Sequence, residues 1–105
     1  MPKIFEYLGI IIRFYSNEHD PIHVHAIYQD AEVKISFFFK EGRLYRTTYK
    51  VEKGKFPPAK MKALKKFVSI YNLKIVHRWN EYFIFKVSPK FEKITKKLSN
   101  EDRYN

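Results

Sequence analysis

At 105 residues and 12.8 kDa, the chain has room for one domain and not for two. With 45% hydrophobic and 18% aromatic residues it can bury a core, which excludes the disordered class. The absence of cysteine excludes disulfides, thiolate metal sites and Cys nucleophiles, while a formal charge of +10 points to an anionic partner.

The apolar run Leu8 to Ile12 meets Arg13 after five residues, too short for a secretory h-region or a membrane span. A cytoplasmic protein without membrane association is the expectation. Ile4 to Leu8 and Ile10 to Tyr15, flanking Gly9, read as strands. His23 to Tyr28 reads as another. Val33, Ile35, Phe37 and Phe39 alternate with Lys34, Ser36, Phe38 and Lys40, the period of a half-buried strand. Lys40-Glu41-Gly42-Arg43 is a tight turn, and Tyr45, Thr47, Tyr49 and Val51 alternate on the return.

The period changes at Pro57-Pro58, which is suited to opening a helix. Met61, Leu64, Val68 and Tyr71 recur at helical spacing, with Phe67 beside them. Asn72 reads as the end of this helix and the cap of a second, whose apolar face is Ile75, Val76, Trp79, Tyr82 and Phe83. Ser88-Pro89 reads as the start of a third, short and basic helix with Phe91, Ile94 and Leu98 as its stripe. The expected fold is α+β: an antiparallel sheet of about four to five strands (residues 3–52) packed against two helices (58–87). The first 87 residues form the domain, and 88–105 form a basic helical extension.

Charge divides with the period. Residues 1–52 hold seven basic and seven acidic side chains, whereas residues 53–105 hold fourteen and four. The lysine faces of the helices are therefore the expected nucleic-acid surface, with Lys62, Lys65, Lys66, Arg78, Lys93 and Lys97 as its contacts. Phe38 or Tyr49 on the sheet could stack on unpaired bases.

Three of the four histidines fall within His19-Asp20-Pro21-Ile22-His23-Val24-His25. On an extended chain His23 and His25 share a face, about 7 Å apart at the backbone. Two chemistries fit. His19, Asp20, His23 and His25 could hold a divalent metal such as zinc, nickel or iron. Alternatively, His23 and His25, helped by His19, could serve as catalytic acid and base on RNA, with Arg13 or Arg46 facing phosphate. The plain alternative is a turn ordered by His19 and two ordinary polar residues on a sheet face.

Phe14-Tyr15-Ser16-Asn17-Glu18-His19 and Pro21-Ile22-His23-Val24-His25 carry a family likeness, as do Met1-Pro2-Lys3-Ile4, Ala31-Glu32-Val33-Lys34-Ile35 and Trp79-Asn80. Over roughly residues 1–83 the chain resembles short prokaryotic proteins grouped as domain of unknown function four-one-six-zero. That resemblance implies a small cognate partner protein from a neighbouring gene, in a toxin–antitoxin-like pair. With the basic helix faces, the expected function is to bind or act on RNA or DNA, RNA favoured. The alternative is a non-enzymatic antitoxin or adaptor that docks an acidic partner through its basic helices.

Overall fold

The computed structural model describes residues 3–15 and 22–99. In chain order these form β1 (Lys3–Tyr7), β2 (Ile10–Arg13), β3 (Ile22–Tyr28), β4 (Ala31–Lys40), β5 (Arg43–Lys53), α1 (Pro58–Phe83) and β6 (Glu92–Ile94). All six strands join one sheet in the order β5-β4-β3-β2-β1-β6. The first five make an antiparallel meander, and β6 pairs with β1 in parallel.

Two-residue turns hold the β1–β2 and β4–β5 hairpins in register. Leu8-Gly9 and Glu41-Gly42 each place two successive residues at positive φ, the geometry that matches strand twist in a tight hairpin. Gly54, just past β5, has no substitute. Its φ is +61°, and an added Cβ would lie 3.0 Å from the Asp30 carbonyl oxygen and 3.2 Å from the Ala31 Cα.

Alternation along each strand buries one face of the sheet. Phe5, Tyr7, Ile10, Ile12, Val24, Ala26, Val33, Ile35 and Phe37 point into the core with Leu64, Phe67, Val68, Ile75 and Trp79 of α1. Its centre is aromatic. The Phe67 ring stacks on Tyr71 at 4.6 Å and on Tyr7 at 5.4 Å, and takes Phe5 edge-on at 5.3 Å. Farther along the helix, Tyr82 and Phe83 enclose Phe14.

The expected pair of helices is one. Pro58 occupies the first turn as anticipated, but α1 runs unbroken for 26 residues. Asn72 does not cap: its Nδ2 donates to the Ser69 carbonyl within the same helix. Asparagine in a helix interior costs only a few tenths of a kcal/mol, and no glycine or proline follows to enforce a break. The short basic helix expected after Ser88-Pro89 is instead β6, which makes the sheet six-stranded and mixed rather than four- to five-stranded and antiparallel. A helix of that length is marginal alone, whereas the free edge of β1 offers unpaired backbone groups. The Tyr7 hydroxyl accepts the Leu98 N–H at 2.9 Å, fixing the segment beyond the strand.

Phe67→Ala should cost about 3–5 kcal/mol by urea denaturation, because it removes the ring shared by three aromatic contacts. Asn72→Ala separates one helix from two. In a helix interior it leaves stability unchanged or raised, whereas losing a cap would cost about 1 kcal/mol.

Candidate functional site

The sheet face opposite α1 is mostly polar, with the pair Ile11–Ile27 flanked by Glu6 and Glu32 forming one of its rows. Its residues follow from register. Lys3 pairs with Arg13, Arg13 with His25, His25 with Lys34, and Lys34 with Lys50. One line across five strands therefore carries four permanent cations with a histidine at its centre. At about 4.8 Å per strand it spans about 19 Å. Beside this line lie the pairs His23–Ser36 and Ser36–Thr48, and then Phe38 with Arg46, whose guanidinium carbon is 5.1 Å from the Phe38 ring centre.

His23 and His25 project from this face because Val24 and Ala26 take the core side. They are 8% and 6% exposed, with ring centres 5.4 Å apart. Tyr15 lies against His25 at 4.0 Å. The His25 Nδ1 is 3.0 Å from the Glu32 Oε2. An ionised carboxylate only accepts, so Nδ1 carries the proton and the ring is held in one tautomer and one orientation. This carboxylate–imidazole pair orients a ring as general acid/base sites require, and it equally satisfies a buried histidine. His19 and Asp20 lie outside the described residues. Among the described residues, no group of three His, Asp or Glu side chains is placed to hold a metal ion.

The six cations expected on the nucleic-acid surface divide into separate environments. Lys62, Lys66 and Lys97 border a cavity of about 270 Å³ floored by Tyr7, Ala63 and Leu98. Lys65 is elsewhere, its ammonium 5.2 Å above the Tyr49 ring. The Lys93 Nζ lies 3.6 Å from the Glu6 Oε2. Arg78 is engaged within the fold: it donates to the Ile4 and Lys90 carbonyls and to the Glu92 carboxylate, with its guanidinium 4.3 Å over Phe5.

Phe38 stands on the polar face, whereas Tyr49 packs beside the core on the other. Burial pushes the Tyr49 hydroxyl up to about 12. Lys3, Lys34 and Lys50 were not singled out from sequence. The Lys34-Ser36-Phe38-Lys40 alternation gives their face, but only strand order shows that they align.

The chain belongs to the family described as domain of unknown function DUF4160, whose model matches residues 9–80. No curated protein and no solved structure matches it. No helix among the described residues is long and apolar enough to cross a membrane.

Glu32→Ala should destabilise the fold by about 1–3 kcal/mol, leaving the buried His25 Nδ1–H without its carboxylate. Glu32→Gln keeps an acceptor and should recover most of that loss in the same denaturation assay. Between pH 10 and 12 the folded chain holds the Tyr49 proton more tightly than the unfolded chain, so stability falls across that window. The fall should be shallower in Tyr49→Phe, read as melting temperature against pH.

Proposed function

We propose that this protein binds single-stranded RNA on the sheet face opposite α1, as one member of a toxin–antitoxin-like pair with a small partner protein. The observation that carries the reading is the line Lys3, Arg13, His25, Lys34 and Lys50, with Phe38 and Arg46 alongside. Aligned cations follow a phosphate backbone, and a half-buried aromatic beside them offers a stacking platform to an unpaired base. A sheet of this width does not enter a duplex major groove, about 12 Å across, so a splayed single strand is the better fit.

The pairing of His25 with Glu32, and the second ring 5.4 Å away, favour a catalytic reading of the same face. In it, one imidazole takes the 2′-hydroxyl proton as O2′ attacks phosphorus. The other, protonated, gives its proton to the departing O5′. The products are a 2′,3′-cyclic phosphate and a free 5′-hydroxyl.

Binding of a fluorescent 12-nucleotide RNA, followed by anisotropy against salt, tests the proposal. The Lys34→Ala/Lys50→Ala variant should bind more weakly at about 0.1 M salt. Its log–log salt slope should be shallower by about 1.4, for two phosphate contacts at about 0.7 each. Lys62→Ala/Lys66→Ala should leave the slope as it is. No binding by the wild type, or a loss confined to the helix variant, overturns the assignment. His23→Ala/His25→Ala should abolish cleavage while RNA is still bound, and persistent cleavage removes the catalytic reading.

A further inference from the structure

The two edges of the sheet differ. At one, β6 is only three residues long. At the other, β5 runs for 11 residues and hydrogen-bonds β4 alone, so its outer backbone groups have no ladder partner among the described residues. A long exposed edge is a template for another strand.

The register between β4 and β5 shifts twice. Tyr45 is passed over between the pairs Phe38–Arg46 and Phe39–Leu44, and Glu52 between Val33–Val51 and Glu32–Lys53. Between these bulges, Arg46 to Val51 is a regular six-residue stretch. Its two sides have opposite characters. On the polar side stand Arg46, Thr48 and Lys50, continued past the bulges by Arg43 and Lys53. On the core side stand Thr47, Tyr49 and Val51, with Val51 52% exposed although it is aliphatic.

We infer that the outer edge of β5 accepts an extended acidic segment of a partner protein as a seventh strand. Directly opposed residues in an added strand share a face with their partners, so the edge dictates the segment's pattern. Acidic side chains at every second position meet Arg46 and Lys50. Apolar or β-branched side chains at the intervening positions extend the apolar rim at Tyr49 and Val51. A second copy of this chain is the poorer occupant, because it would bring its own Arg43, Arg46, Lys50 and Lys53 against the same four cations. Charges on an edge strand ordinarily discourage pairing between identical chains, and here the same charges select an anionic one.

The test uses the full chain and two synthetic octapeptides of one composition. One alternates Glu with Val or Ile, and the other gathers its glutamates at one end. Affinity is read by fluorescence and backbone protection by amide hydrogen exchange. The alternating peptide should bind at least 10-fold more tightly and slow exchange across residues 46–51. Lys50→Glu should weaken that peptide selectively. Equal affinity for the two peptides, or binding without protection in β5, reduces the contact to diffuse charge and overturns the inference. So does binding by neither peptide at about 1 mM. Protection that rises with protein concentration alone assigns the edge to a second copy instead. The inference does not draw on the RNA reading, since RNA engages side chains and leaves the β5 amides exchanging as before.

Discussion

A single helix, about 10 Å across with its side chains, cannot cover both faces of a six-stranded sheet roughly 24 Å wide. Everything else in this molecule answers to that limit. Strand alternation sorts apolar residues onto the face that α1 covers, so the residues left on the other face must tolerate water. Lysine, arginine, serine and threonine do so, and their placement there is first a condition of folding. The register of five strands also draws four of those cations into line, the arrangement on which the proposed binding surface rests. The low exposure of His23, His25, Glu32 and Ser36 is the exception on that face. Burial there requires hydrogen bonding, which the His25–Glu32 pair supplies for its two members.

Arg78 shows how a cation legible as functional in sequence becomes structural in three dimensions. Its side chain is only 13% exposed, and its guanidinium ties three separate elements together: α1, which carries it, the carbonyl of Ile4 in β1, and Lys90 with Glu92 at the start of β6. Its planar fork of donors allows one side chain to reach two carbonyls and a carboxylate while stacking on Phe5, which a lysine could not do. The parallel pairing of β6 with β1 is anchored through this residue. Lys60 plays a smaller version of the same part, donating to the Leu8 carbonyl and lying over Tyr28.

What could be read from the sequence was local. The period of two along Val33 to Lys40 placed β4 and its faces, and Pro57-Pro58 placed the start of α1. The false break at Asn72 arose because a capping residue was weighed without the helix formers after it. The strand β6 was hidden because its partner, β1, lies more than 80 residues away in sequence and local periodicity carries no trace of it. The bulge that passes over Tyr45 was hidden as well. It leaves Tyr45 61% exposed although it alternates in sequence with Thr47, Tyr49 and Val51, and packs Leu44 against the core in its place. At the candidate site, the histidine pair was legible from spacing alone, whereas Glu32 was not, since seven residues and a turn separate it from His25.

Charge illustrates the difference between counting and placing. The strand half of the chain is neutral by count and the helical half carries the whole excess. Yet the acids and bases of the strand half fall in different rows: Glu6 and Glu32 stand with Ile11 and Ile27 in the row beside Lys3, Arg13, His25, Lys34 and Lys50, while Asp30 and Glu41 sit in turns. A neutral segment thus presents a cationic row. The helical half does the reverse with part of its excess, laying Lys60, Lys65, Lys74 and Arg78 over aromatic rings. Ring quadrupoles there supply attraction that an acidic partner would otherwise provide. Lysine number alone therefore does not say where the charge is presented. Backbone hydrogen bonds set the sheet's cations in a row by their register, and it is this row, rather than the total charge, that the proposed RNA reading uses.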